Sequence, residues 1–113
     1  MQQKRPSLDR LLRKWQKRLK LQDWTIEAKY VQPEAMANQP APLGECQMDY
    51  AQKEAVIRIL DPKHNKDAVL PGHRNTELTF VHEMLHCHLN SQSVKPAHLE
   101  HAVEALAKAF MDI

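Results

Sequence analysis

Leu8, Leu11, Leu12, Trp15 and Leu19 recur at spacings of three and four residues, the period of one helical face, and Ser7 stands where a capping side chain would. A helix is expected over 7–21. After Leu21 the period drops to two: Trp24, Ile26, Ala28 and Tyr30 alternate with Thr25, Glu27, Lys29 and Val31, which predicts a half-buried strand over 24–31. The segment PEAMANQPAPL holds three of the seven prolines, cannot continue a central strand, and reads as a mobile connection. GECQMDY (44–50) and KEAVIRIL (53–60) then read as two short strands, joined by a turn at Ala51 to Lys53 into a hairpin.

Residues 61–75, with two prolines and a glycine, predict an exposed loop. Asn75 or Thr76 caps a helix over 76–90 with Leu78, Val81, Leu85 and Leu89 on its buried face. Pro96 opens a last helix over 96–111, where Leu99, Val103, Leu106 and Phe110 form the apolar stripe and Ala102, Ala105 and Ala109 allow close approach. No repeat interrupts this order. The expected fold is a single α+β domain over 1–113: a helix, three strands and two helices.

At 113 residues, 42% apolar and 27% charged, the chain is sized for one globular core. It contains no apolar run near the roughly 20 residues of a membrane span and no signal-peptide stretch at its start, so a cytoplasmic protein is expected. Cys46 and Cys87 lack any paired spacing and read as packing residues. Charge is unevenly placed. The first twenty residues are +7, leaving −5 for the remainder, so the leading helix is either a solvated face or a contact for nucleic acid or an acidic protein.

Histidine changes the picture: five of seven fall between 82 and 101. His82-Glu83-Met84-Leu85-His86 is an HExxH sequence on a predicted helix, and random placement of these residue types would give about 0.03 such matches. Residues four apart stack on one helical face, so both imidazoles can reach one tetrahedral zinc ion. Glu83 lies about 100° round the helix, at the edge of that face, where a carboxylate can meet water without itself being a ligand.

A hydrolytic zinc site needs a third protein ligand and an open position. On the last helix Glu100 falls on the shoulder of the apolar stripe and is the expected third ligand. Glu104, one turn on, is placed to accept a hydrogen bond from the second ring nitrogen of a liganding histidine. His98 and His101 compete but lie on other sides of that helix. His88 and Cys87 point away from His86, and His64 and His73 belong to the loop.

FVHEMLHCHLN followed by LEHAVEALAKAF, with LQDWTIEAKYV, GECQMDY and EAVIRILDP before them, resembles the small phage and prophage metallopeptidases. These are single-domain zinc peptidases related to minimal gluzincins. The likeness runs from about Leu19 to Phe110. It implies a minimal zincin-like domain with an N-terminal helix, a small three-stranded sheet, an active-site helix and a supporting C-terminal helix. It also implies His82, His86 and Glu100 as ligands of one Zn2+ and Glu83 as general base, with Glu104 able to exchange roles with Glu100. The HG-containing segment of the SprT-like branch and the HExxHxxGxxH pattern of metzincins are both missing.

The expected activity is therefore zinc-dependent endopeptidase cleavage of a peptide or protein substrate, with the GECQMDY strand as the edge on which an extended substrate pairs. Tyr50, His98 and His101 are available as oxyanion stabilisers. The competing reading is a non-catalytic module that keeps zinc for stability and contacts nucleic acid or an acidic protein through its basic helix. Oligomeric state has no signature in the sequence.

Overall fold

A computed structural model describes residues 5–67, 75–89 and 96–113. The first helix, α1 (Leu8–Arg18), starts at Ser7, whose hydroxyl accepts the Arg10 N–H at 3.3 Å. It stops in a Schellman turn. Lys20, at φ 59°, donates to the Lys17 carbonyl and Leu21 to that of Gln16. Leu8, Leu11, Trp15 and Leu19 are buried as the period required, and fixing them this way ends the helix three residues before the expected position 21.

Strands β1 (Thr25–Val31), β2 (Gly44–Asp49) and β3 (Glu54–Leu60) form one sheet in the order β1-β3-β2. β3 is central, parallel to β1 and antiparallel to β2. Ile26 pairs with Ala55, Ala28 with Ile57, Tyr30 with Ile59 and Cys46 with Ile57, so the alternation seen in each strand puts one apolar face on the core. Residues 32–43 carry the chain past the end of β3, from one edge of the sheet to the other. Leu60, Met36 and Ala41 form a small second core beneath that crossing.

Helix α2 (Thr76–Leu85) is capped by Asn75, and every residue from Leu78 to Leu85 is buried. A helix buried all round is a central one. It packs on β2 and β3, with α1 on one flank and α3 (Pro96–Met111) on the other. Glu77 ties α2 to α1 by accepting from Trp15 Nε1 at 2.6 Å and Lys14 Nζ at 2.7 Å.

The other two helices also depart from expectation. α2 ends at Leu85 rather than near 90, because the N–H groups of His86, Cys87 and His88 each reach back three residues, to Glu83, Met84 and Leu85, and wind the chain into a tighter turn. In α3 the buried residues are Val103 and Ala107, with Leu99 and Met111 packed against the core, while Leu106 and Phe110 are 40% and 50% exposed. The inward face is thus turned by about 50° from the predicted stripe, toward the glutamates. Ala102, Ala105 and Ala109 accordingly face solvent rather than the helix contact. The expected loop 61–75 opens with a 3-10 helix at Pro62–Asp67; residues 68–74, His73 among them, lie outside the described residues. Among the described residues no helix is long and apolar enough to cross a membrane.

Candidate metal centre

His82 and His86 sit one turn apart on the inner end of α2, their ring centroids 5.3 Å apart. The turn of α3 makes them converge on one carboxylate: Glu100 Oε2 lies 2.8 Å from His82 Nε2 and Glu100 Oε1 lies 2.9 Å from His86 Nε2. These three side chains offer ligand atoms all within 4.8 Å of one another and could hold a metal ion. Two imidazole nitrogens and a carboxylate oxygen are a donor set suited to zinc, and three protein ligands leave a tetrahedral ion one open position. Glu104 Oε1 takes the other side of His82, 2.8 Å from Nδ1, an arrangement that fixes the ring and leaves Nε2 for the ion.

Burial holds His86 below the ordinary imidazole value, an effect deepened by the neighbouring His82 and opposed by the Glu100 carboxylate. A neutral ring with a free lone pair at neutral pH is the form a metal requires. Glu100 itself stays half open to solvent, whereas Glu83, one residue beyond His82, is only 7% exposed.

What encloses Glu83 is the start of β2. A methyl group added at Gly44 would stand 2.8 Å from Thr79 Cγ2, 3.2 Å from Glu83 Cγ and 3.2 Å from Glu83 Oε2, so strand and helix approach as closely as only glycine permits. Gly44→Ala is therefore expected to cost about 1–3 kcal/mol, read as a lower urea midpoint. Thr79→Ser, which removes the obstructing methyl, should recover part of that loss; an unchanged midpoint in Gly44→Ala would contradict the contact.

Glu83, His86 and Glu100 line one side of a groove of about 630 Å³. Gly44, Cys46 and Met48 of β2 line another, and Asn38, Pro40 and Pro42 of the proline-rich segment close it. That segment is fastened rather than loose. Buried Glu45 accepts from Ala37 N at 2.9 Å, Asn38 N at 3.3 Å, Asn38 Nδ2 at 3.2 Å and Arg58 at 2.9 Å. Burial pushes its carboxyl up, but these donors together outweigh burial and hold it below the ordinary 4.5.

The anchor's stabilisation is complete above pH 4.5 and is lost as pH falls through the lower folded-state value. Glu45→Gln should then cost about 1–3 kcal/mol at pH 7, and the gap to the wild type should shrink toward pH 3 in a thermal-denaturation series. A gap independent of pH would exclude a charged anchor.

The remaining candidates go elsewhere. His88 Nε2 bonds the Leu19 carbonyl and ties the end of α2 to α1. His98 and His101 are exposed on α3. Tyr50 packs edge-on against Trp24 beyond the far end of β2, roughly 20 Å along the strand from Gly44, which removes it as an oxyanion stabiliser. His64 lies in the 3-10 helix after β3.

Three participants escaped the sequence: Gly44, the Glu45 anchor and a thiol pair. Cys46 and Cys87 do pack, as expected, but also on each other. The hydrogen bond to Cys87, with burial, raises Cys46, while Cys87 is lowered by its bond from Cys46. The only prior signal was the glycine opening an otherwise regular strand. Compared with known proteins, the chain matches no family model, no curated protein and no solved structure.

Proposed function

We propose that this chain is a zinc-dependent endopeptidase, a minimal zincin-like domain of the kind found in the small phage metallopeptidases it resembles. The observation that carries this reading is the convergence of His82, His86 and Glu100, the last two lining a groove that Glu83 lines as well. When bound, zinc supplies Lewis acidity, bringing water toward ionisation near neutral pH and polarising a carbonyl.

The chain's own residues do the rest. Glu83, walled by Gly44 and Thr79, takes the proton of the attacking water and passes it to the leaving amine. Glu104 keeps the His82 ring oriented throughout. Substrate binding falls to β2. Leu60 N donates to Leu43 O at 2.8 Å, and the register alternates from there, so the inward-pairing residues are Glu45, Gln47 and Asp49. Gly44, Cys46 and Met48 therefore turn their N–H and C=O groups to the open edge, along the groove, where an extended peptide can pair with them.

The groove is short, so cleavage is expected of selected sequences rather than of unfolded protein in general. The deciding experiment is digestion of a mixed peptide library by protein loaded with one equivalent of zinc, followed by mass spectrometry. Hydrolysis that stops on chelation and returns with zinc is the expected result. A protein that retains zinc and cleaves nothing in the library would overturn the enzyme reading and leave the zinc-stabilised binding module.

A further inference from the structure

On the flank opposite α3, helix α1 carries Arg10, Arg13, Lys14, Lys17 and Arg18, spaced i, i+3, i+4, i+7 and i+8. That spacing spreads five cations over the solvent side of the helix: Arg10, Arg13 and Lys17 lie nearly opposite the buried Leu8, Leu11 and Trp15, while Lys14 and Arg18 border that face, each 5.3 Å from the Trp15 ring centroid. All five are exposed. Lys14 is paired with Glu77 at 2.7 Å; among the described residues no carboxylate lies within 4.0 Å of Arg10, Arg13, Lys17 or Arg18.

We propose that this face docks on the sugar-phosphate backbone of duplex DNA. The stripe rises about 12 Å from Arg10 to Arg18, a length of duplex axis that carries about seven phosphates. Its helix is held rigidly, by the buried Trp15 and the Glu77 bonds beneath it, so the cations are arranged before binding. Past the helix start lies a groove of about 730 Å³ lined by Arg5, Asp9, Arg10, Lys29 and Tyr30. Its charges are largely balanced, with Arg5 paired to Asp61 at 2.6 Å and lying over the Tyr30 ring and Lys29 paired to Glu27 at 3.8 Å, so the uncompensated charge is confined to the helix.

The partner is a duplex because the helix face offers no exposed aromatic ring on which single-stranded bases would stack: Trp15 is 2% exposed, and the half-buried Tyr30 ring of the adjoining groove lies under Arg5. Between duplexes the choice is DNA, whose wide B-form major groove can seat an exposed helical ridge between its phosphate rows, whereas the A-form major groove of RNA is too narrow. Docking there leaves the groove on the other flank open, and the inference stands independently of the metal centre.

The test is fluorescence anisotropy with a labelled 20-base-pair DNA. Four phosphate contacts, from the cations without a carboxylate partner, predict a slope of log affinity against log salt of about −3.6, so roughly 150-fold weaker binding at 200 mM than at 50 mM salt. The triple variant Arg10→Gln, Arg13→Gln, Lys17→Gln spares the residues that touch Trp15 and Glu77; it should flatten the slope to about −1 and weaken binding at 50 mM salt by about 10-fold or more. Arg10→Lys with Arg13→Lys should keep the wild-type slope. No binding at 50 mM salt, or an unchanged slope in the triple variant, would overturn the proposal. Equal or tighter binding of the single strand, of duplex RNA or of poly-glutamate would overturn its choice of partner.

Discussion

Glu83→Gln is expected to lower peptide cleavage by about 10²–10⁴-fold while the protein still carries one zinc per chain. Glutamine preserves the shape that fits against Gly44 and Thr79 but has no carboxylate to take a proton. Because Glu83 stands outside the converging His82, His86 and Glu100 set, its loss should leave metal content and thermal stability close to wild type. Elemental mass spectrometry beside a cleavage assay separates the two quantities. Retained activity would mean that another group serves as base; lost zinc would mean that Glu83 is itself a ligand.

The second large effect concerns the ion. A ligand that binds only the folded chain stabilises it by about 4 kcal/mol at a thousandfold excess over its Kd, which for a domain of this size is roughly 15–30 °C in Tm. Zinc added to stripped protein should raise Tm by this order, and His82→Ala or Glu100→Ala should abolish both the rise and the bound metal. Glu104→Gln should differ in kind. Its Oε1 lies 2.8 Å from Nδ1 of His82 and it stands outside the converging ligand group, so stoichiometric zinc should survive with affinity lowered about 10–100-fold. A Tm indifferent to zinc in the wild type would remove the metal reading together with the peptidase built on it.

The parts of the molecule that were legible in the sequence are those governed by local periodicity. His82 and His86 announced themselves because a spacing of four is already a spatial statement on a helix; Glu100 followed from its place on the shoulder of the apolar stripe of the last helix, and Glu104 from standing one turn beyond it. The alternation in β1 gave the correct inward face, Ile26, Ala28 and Tyr30, before any pairing was known. What failed was whatever depended on a neighbour. Leu106 and Phe110 look like core residues, yet α3 turns Val103 and Ala107 inward because the small alanine allows close approach and the turn brings two glutamates to the histidines. Gly44, Glu45 and the Cys46–Cys87 contact reach the centre only through the crossing of the chain from β1 to β2, which no short window contains.

That division also bears on how the centre assembles. His82 and Glu100 are 18 residues apart on consecutive helices, so an ion joining them closes a short loop at small entropic cost and needs nothing from the sheet. Gly44, by contrast, comes from far upstream of Glu83, on a strand held by its antiparallel pairing with β3, so its contact with the helix closes a longer stretch of chain. The His82, His86 and Glu100 group and the wall around Glu83 thus rest on separate contacts, one between two consecutive helices and the other between a helix and a strand. A change that shifts β2 acts on the wall that aims the base without altering any of the three side chains that could hold an ion.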